Sequence, residues 1–379
     1  MKAGLKHLMI FASALLWAQC ILAQGLLMPA GAPAPSMKTL YQIHQQTLLS
    51  EPRTALSAIN TPGSSGYHYA ITNSGSYYLT DNMTVTQGGI SVSADHVALD
   101  LNGFTLTGNP LDVSHYGIYI GNVRNVEVRN GTVAQFGANG VYAYESMLSS
   151  QPRAHRVTGL RIINNGGIGI YFPTEGCILD GVTVVSNSSI GIEIGNCGQV
   201  EECIVYGNGY WGIYAGEGCV VSGNASCGNG SSGIVAGDSS LIQGNVASEN
   251  AKNGISGGDY NRIGENVCMH NAEWGIYAST GCSVHNNTIG NNNSLRDPDC
   301  GGLSASLSCH VAGNNVSWNW INGIHVNNAR NCIENNLITG SDTGIVFSAA
   351  GNVYADNRFS VLSTNIAGTA TDGGGNISF

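Results

Sequence analysis

Apolar and polar positions repeat every 21 residues through the middle of the chain. Residues 218–280 divide into three segments of that length, which read GCVVSGNASCGNGSSGIVAGD, SSLIQGNVASENAKNGISGGD and YNRIGENVCMHNAEWGIYAST. A fixed period of about 20 to 50 residues is typical of repeat proteins, in which each unit buries its apolar side against its neighbours. The pattern therefore predicts a solenoid.

Three apolar columns run through the repeats, each in a short segment rich in β-branched residues. The first contains Leu179, Val200, Val221, Ile242, Ile263, Val284, Val311, Ile333 and Tyr354. The second contains Ile170, Ile192, Ile213, Ile234, Ile255, Ile276, Leu303, Ile324, Ile345 and Ile366. The third contains Val184, Val205, Ser226, Ala247, Cys268, Ile289, Val316, Ile338 and Phe359. Because nothing recurs at 3.6 residues, three short strands per turn are predicted instead of helices.

Two columns of asparagine mark the turns between these strands. One comprises Asn187, Asn208, Asn229, Asn250, Asn271, Asn292 and Asn319; the other comprises Asn224, Asn245, Asn266, Asn287, Asn314, Asn336 and Asn357. Asparagine tolerates left-handed backbone at turns, and amides stacked at the strand spacing of about 4.8 Å can bond to one another. The sequence thus predicts an all-β fold, a single-stranded parallel β-helix of about 13 turns with a short N-terminal helix.

Three regions are predicted along the chain. Residues 1–23 have the features of a secretory signal peptide, which predicts a secreted, periplasmic or cell-surface protein. Residues 24–66 are predicted to be a linker with a short helix within 37–50. Residues 67–379 are predicted to form the β-helix domain.

Charge and cysteine usage exclude some classes of partner. Without the signal peptide and its two lysines, 12 basic residues stand against 24 acidic ones, so nucleic acid is not an expected partner. The signal peptide is too short to predict a membrane span. The ten cysteines beyond it are expected to be buried thiols, with disulfides between neighbouring turns left open, and the absence of a CxxC pair argues against a cysteine-based metal site.

Two N-terminal stretches resemble a known superfamily. Residues 88–108, GGISVSADHVALDLNGFTLTG, and 125–133, NVEVRNGTV, are similar to the first turns of right-handed parallel β-helix proteins of the pectate-lyase-like superfamily. The resemblance implies a right-handed coil from about residue 70 to the C-terminus. It implies little about activity, because lyases, hydrolases, epimerases, copper-site maturation proteins and phage spikes share this scaffold.

An outward-facing column beside the isoleucine column is rich in aromatic residues. Side chains alternate along a strand, so the residue after each core isoleucine is expected to point to solvent. Five aromatic residues on this face are predicted to bind a polysaccharide or cell-surface glycan by stacking on sugar rings: Tyr171, Trp211, Tyr214, Trp274 and Tyr277. The alternative is that these rings are strand formers packed on each other.

Glu217, Asp238 and Asp259 occupy one column in three successive turns. Carboxylates one turn apart repel, and a bound cation, a raised pKa or solvent screening relieves the repulsion. The resemblance to pectate lyases implies calcium at such a ladder, although no cofactor is required by the sequence. Solvated acidic turns are the alternative.

An insertion at residues 294–300, SLRDPDC, interrupts the period. Its Arg296-Asp297-Pro298-Asp299 is similar to the Asp-Pro-His-Asp motif of mannuronan C5-epimerases on this fold, but lacks the histidine. The resemblance implies catalytic roles for Asp297 and Asp299. We expect His325 to supply the acid/base group, Tyr277 the opposite proton partner, and Arg296 the cation for a uronate carboxylate. An ordinary surface loop is the alternative.

Three functions remain open from the sequence. The first is an exported, non-catalytic β-helix that binds polysaccharide along its outer face. The second is a polysaccharide lyase or C5-epimerase acting on an anionic uronan. The third is a periplasmic β-helix that handles metal ions. Whether the protein is an enzyme is not decided by these residues.

Overall fold

The computed structural model describes residues 38–43, 51–144 and 153–379, so the predicted signal peptide lies outside the described residues. The chain divides into two units, Met1–Pro52 and Arg53–Phe379. In the first unit residues 40–43 are helical, which confirms the short N-terminal helix. Its N-terminus is capped reciprocally: the backbone N–H of Thr39 donates to Oε1 of Gln42 at 3.0 Å, and the backbone N–H of Gln42 donates to Oγ1 of Thr39 at 3.1 Å.

The second unit is a coil of parallel strands in two hydrogen-bonded sheets, one of 14 strands and one of 27 strands. The larger sheet bends at a corner, and its two faces are called here the second and third sheets; most turns contribute one short strand to each of the three. The first sheet contains 14 strands among the described residues. They are Tyr67–Ile71, Gly88–Val92, Ile118–Ile120, Val141–Ala143, Ile170–Phe172, Ile192–Ile194, Ile213–Ala215, Ile234–Ala236, Ile255–Gly257, Ile276–Ala278, Gly301–Ala305, Asn322–Val326, Thr343–Phe347 and Thr364–Gly368.

The second and third sheets share two long strands, Val126–Ala134 and Arg156–Ile163, which run through the corner between them. The other strands of the second sheet are Thr54–Ala55, Gly75–Tyr78, Val97–Asp100, Ile178–Asp180, Gln199–Glu201, Val220–Ser222, Leu241–Gln243, Arg262–Gly264, Ser283–His285, His310–Ala312, Cys332–Glu334, Val353–Ala355 and Thr371–Asp372. The other strands of the third sheet are Met83–Thr84, Thr105–Thr107, Thr183–Val185, Ile204–Tyr206, Ala225–Cys227, Val246–Ser248, Val267–Met269, Thr288–Gly290, Asn315–Ser317, Leu337–Thr339, Arg358–Ser360 and Ile377–Ser378.

The strand registers confirm the three predicted apolar columns. Ile213 pairs with Ile234 in the first sheet, and Val200 pairs with Val221 in the second. These side chains are fully buried and form one continuous core along the coil. Burial of each isoleucine contributes about 1.5–3 kcal/mol, so the stacked columns supply most of the apolar stabilisation.

The prediction of about 13 turns omitted one strand of the first sheet. Tyr67–Ile71 pairs with Gly88–Val92 and extends the sheet by one turn at its N-terminal end. Its sequence, YHYAI, lacks the Gly-Ile signature of the later turns.

No helix in the described part of the chain is long and apolar enough to cross a bilayer.

Both predicted asparagine columns form continuous hydrogen-bonded ladders inside the corners. Nδ2 of Asn224 donates to Oδ1 of Asn245 at 3.0 Å, and the backbone N–H of Asn224 donates to the same oxygen at 2.9 Å. Nδ2 of Asn245 donates onward to Asn266 at 3.0 Å and also to the carbonyl of Val221 at 2.9 Å. Each buried amide is therefore satisfied by the equivalent residue one turn away.

The residue before each ladder asparagine turns the corner with a left-handed backbone. In the corner between the third and first sheets this position has φ near +55 to +70° in successive turns, at Gly207, Gly228, Glu249, His270, Asn291, Trp318 and Gly340. Because the asparagine that follows points inward, the side chain at this position points outward. Glycine adopts this backbone without strain, whereas other residues cost about 1–2 kcal/mol there.

We expect Asn245→Ala to lower the free energy of unfolding by at least about 2 kcal/mol, because both buried donors of Asn224 lose their acceptor. The midpoint of urea unfolding measures the effect. Asn328→Ala is the control, since Asn328 is exposed and should change stability by less than about 0.5 kcal/mol. Equal effects of the two substitutions would contradict a structural role for the ladder.

Candidate functional site

The predicted outward column of the first sheet is in register throughout. Tyr171 pairs with Glu193 and Glu193 with Tyr214, while Tyr277 pairs with Ser304 and Ser304 with His325. Residues one turn apart in the sequence are thus direct neighbours on this face.

The N-terminal half of this face is a row of stacked tyrosine rings. The rings of Tyr116 and Tyr142 are 4.2 Å apart and nearly parallel, and the ring of Tyr142 lies 5.2 Å from that of Tyr171. Burial, followed by the neighbouring phenols, raises the pKa of Tyr142 to about 12. Tyr171 therefore belongs to a self-packed row, which is the arrangement that the alternative interpretation predicted.

The other predicted aromatic residues differ in how much surface they present. Trp211 stacks on Tyr214 with ring centres 5.2 Å apart, and both rings are partly exposed. Tyr277 is 37% exposed, whereas Trp274 is only 7% exposed and packs towards His325. Trp211, Tyr214 and Tyr277 leave ring surface for a ligand, and Trp274 leaves little.

The three acidic residues lie in one column, and two of them, Asp238 and Asp259, act as turn caps. The backbone N–H of Asp259 donates to Oδ1 of Asp238 at 2.7 Å, and Oδ1 of Asp259 accepts from the backbone of Thr280 and the hydroxyl of Ser279. These hydrogen bonds, that of Ser279 first, lower the pKa of Asp259. The carboxylate of Glu217 is exposed.

These carboxylates do not converge on a common point. Within the described ranges, the one group of three His, Cys, Asp or Glu side chains whose ligand atoms all lie within 4.8 Å of one another stands elsewhere, on the second sheet. Calcium at Glu217, Asp238 and Asp259 remains a prediction from the sequence.

The insertion folds around the carboxylate and main chain of Asp297. The backbone N–H of Asp297 donates to Oδ1 of Asn293 at 2.8 Å, and Oδ1 of Asp297 accepts from the backbone N–H of Asp299 at 2.9 Å. Its carbonyl accepts from Cys300 at 3.0 Å. The side chain of Asp297 is thus engaged in shaping the loop, while Asp299 is exposed.

His325 lies in the outward column two turns before its C-terminal end, near Asp299 of the insertion. Burial lowers its pKa below the usual 6.5, and the negative charge of Asp299 opposes that shift. Nε2 is 2.7 Å from the hydroxyl of Ser348, and buried Nδ1 has no hydrogen-bond partner among the described residues. Asp299 is therefore close enough to His325 to act on its charge, and Tyr277 lies two turns away from His325 in the same column.

Arg296 faces a groove at the corner between the third and first sheets. Its guanidinium lies 3.9 Å from the ring centre of Trp320 and makes no ion pair within the described part of the chain. Trp318 and Trp320 are 61% and 46% exposed. The groove has a volume of about 370 Å³ and is lined by Asn291, Arg296, Trp318, Trp320, Ile321, Gly340, Asp342 and Leu362.

Neither tryptophan of this groove was predicted from the sequence. Both flank the ladder residue Asn319, whose side chain points inward, so the side chains of its two neighbours point outward. Because the repeat identified Asn319 as a ladder residue, the outward direction of both tryptophans could have been predicted from the sequence. The ring of Trp318 lies over Gly340 of the next turn, where an added Cβ would come within 2.6 Å of it. A second groove, of about 410 Å³ beside Asp356 and Arg358, has no aromatic residue in its lining.

Comparisons with known proteins agree with this architecture. Residues 173–300 match the family model described as periplasmic copper-binding protein (NosD). The A-module of mannuronan C-5 epimerase AlgE6 from Azotobacter vinelandii superposes with a TM-score of 0.56 at 16% identity, covering 81% of this chain and 91% of that one. The AlgE4 A-module from the same organism gives 0.51 at 14% identity, with 79% and 91% covered. No curated protein has a matching sequence.

The chain has the right-handed parallel β-helix fold of these neighbours. This confirms the fold that the resemblance in residues 88–108 and 125–133 implied. At these identities the two epimerase modules establish the fold of this β-helix and not its activity.

The lowered pKa of His325 gives a testable pH dependence. A histidine that binds its proton more weakly when folded contributes stability above its unfolded pKa, and that contribution is lost as the pH falls below about 6.5. Asp299→Asn should lower the pKa further, because it removes the charge that opposes burial. NMR titration of labelled histidines, with His325→Gln for assignment, measures this. Asp342→Asn is the control and should leave the pKa of His325 unchanged. An unchanged or raised pKa of His325 in Asp299→Asn would contradict the proximity of Asp299 to His325.

Proposed function

We propose that this β-helix is an exported protein that binds an acidic polysaccharide, with its principal binding site in the groove of Arg296, Trp318 and Trp320. The observation that carries the proposal is the guanidinium stacked on an exposed indole at the edge of a groove. Trp211, Tyr214 and Tyr277 extend the aromatic surface along the first sheet.

The chemistry of the groove suits a sugar ring that bears a carboxylate. Indole faces are large, flat and apolar, so they can pack against the C–H face of a pyranose. An arginine stacked through its plane keeps the N–H groups at its edge free for bidentate bonding to a carboxylate. The exposed carboxylate of Asp342 provides an acceptor for sugar hydroxyls.

The backbone of Trp318 supports a role for its side chain in binding. Its φ of +56° is left-handed, at a corner position that holds glycine in three other turns and Glu249, His270 or Asn291 in three more. A bulky residue there is strained, and strained residues concentrate at functional sites. The core does not use the indole, which is largely exposed.

The comparisons support the same proposal. The two epimerase modules described above are named as enzymes acting on mannuronan, an acidic polysaccharide. The family model that matches residues 173–300 is described as periplasmic, which agrees with the predicted signal peptide 1–23. These findings support a location outside the cytoplasm.

Binding of polymannuronate to the purified protein tests the proposal. We expect Trp320→Ala to weaken binding about tenfold or more, which corresponds to about 1.4 kcal/mol, through loss of the stacking surface. Arg296→Lys should weaken binding of the acidic polymer because a lysine cannot form the bidentate contact. Tyr206→Ala is the control, since Tyr206 is an exposed aromatic several turns away. Isothermal titration calorimetry with dextran as neutral polymer measures both effects, and equal binding of dextran would count against the role of Arg296.

Trp318→Gly separates binding from stability in the same assay. Glycine relieves the left-handed strain, so the urea midpoint should stay unchanged or rise. Binding should nevertheless weaken, because the indole is gone. If binding is retained in Trp318→Gly and Trp320→Ala alike, the groove is not the glycan site.

A second candidate function is a lyase or C5-epimerase, which the nearness of Asp299 to His325 and the position of Tyr277 in the same outward column favour. His325, held neutral by its lowered pKa, would take the C5 proton of a uronate as the base, and Tyr277 would donate from the column two turns away. Incubation of polymannuronate in deuterated water tests this. If neither C5 exchange nor unsaturated products are detected, the lyase and epimerase functions are ruled out and binding remains as the function.

A further inference from the structure

A second cluster of chemically reactive side chains lies on the outer face of the second sheet. His310 pairs directly with Cys332 on the adjacent strand, and Glu334 follows two residues after Cys332. Val311 and Ile333, which lie between these positions, are fully buried. Because side chains alternate along a strand, His310, Cys332 and Glu334 all project from the same side of the sheet.

The three side chains converge through the carboxylate. Nε2 of His310 lies 2.9 Å from Oε1 of Glu334, and Sγ of Cys332 lies 3.8 Å from Oε2. The three ligand atoms all lie within 4.8 Å of one another. Tetrahedral ligands at about 2.0–2.3 Å from a metal ion stand about 3.3–3.8 Å apart, so small side-chain rotations bring these atoms to coordination distance.

The residues paired with these positions in the neighbouring turns carry no charge. The residues that pair with these positions in the neighbouring turns are Ser283, Ala312, Val353 and Ala355. The site is also open, since the side chains of His310 and Glu334 are 52% and 36% exposed. An ion could therefore enter from solvent and keep a water ligand.

We propose that His310, Cys332 and Glu334 bind one borderline-soft divalent ion of the zinc class, with solvent in the fourth position. A mixed imidazole, thiolate and carboxylate set suits zinc-class ions, whereas calcium and magnesium require oxygen ligands. On binding, the thiol of Cys332 releases its proton to solvent, and the imidazole coordinates in its neutral form. The two negative ligands then balance the charge of the ion.

This site is independent of the glycan groove and of the family match. It lies on the second sheet, whereas the groove lies at the corner between the third and first sheets. Its residues fall outside the matched range 173–300. The absence of a CxxC pair argued against a cysteine-based metal site, but here the ligands come from two adjacent turns.

Cobalt(II) titration of the purified, reduced protein tests the proposal. Bound cobalt should produce a thiolate-to-metal charge-transfer band in the near ultraviolet, saturating at one ion per chain and disappearing when zinc is added. Cys332→Ser should abolish the band. His310→Gln and Glu334→Gln should each weaken cobalt binding at least about tenfold. Loss of a residue that hydrogen-bonds to a metal ligand already lowers metal affinity by about 10–100-fold, and loss of the ligand itself should lower the affinity at least as much.

Cys197→Ser is the matched control, because Cys197 is an exposed thiol outside the cluster. It should leave the band and the affinity unchanged, and circular dichroism should show that every variant is folded. The proposal is overturned if cobalt does not bind, if Cys332→Ser leaves the band intact, or if His310→Gln and Glu334→Gln bind cobalt as the unchanged protein does. Excess calcium should not displace cobalt, and displacement by calcium would also overturn it.

Discussion

The fold depends on buried amides that can be satisfied only by their equivalents one turn away. In each ladder an asparagine accepts two hydrogen bonds from its equivalent in the preceding turn and donates two to its equivalent in the next turn, through its backbone N–H and its Nδ2, and its side chain is buried. An unpaired buried amide costs about 1–3 kcal/mol per lost partner. A shift of register by one residue would remove the hydrogen-bond partners of every asparagine in a ladder. The ladders therefore hold the turns in alignment, and the stacked isoleucines supply the apolar burial.

This alignment separates the interior from the outer surface. Inward positions repeat almost without change, while outward positions vary from turn to turn without disturbing the core. The corners show the consequence most clearly, because a left-handed residue before each ladder asparagine always directs its side chain outward. Most turns place glycine, asparagine or a polar residue there, and the turn of Asn319 places Trp318 there instead.

The surface groups that we assign to binding arise where the repeat is broken or where its outward residues coincide. The insertion carries Arg296 onto Trp320 at the edge of a groove. On the second sheet, His310, Cys332 and Glu334 meet because two adjacent turns place reactive residues at matching outward positions. One rigid coil thus presents two sites of different chemistry on different sides of the same scaffold.

The sequence by itself determined the fold, because a strict period makes residues one turn apart spatial neighbours. It gave the three core columns, the two amide ladders and the outward column that contains Tyr171, Tyr214 and His325. It could not show that the rings of Tyr116 and Tyr142 stack on each other, or that the carboxylate of Asp297 accepts a hydrogen bond from the backbone of its own loop. Those outcomes depend on side-chain directions and on the path of an insertion with no counterpart in other turns. Only the tertiary structure decided that Arg296 meets Trp320 and that His310 meets Glu334, because contacts between variable outward residues follow from packing and not from the period.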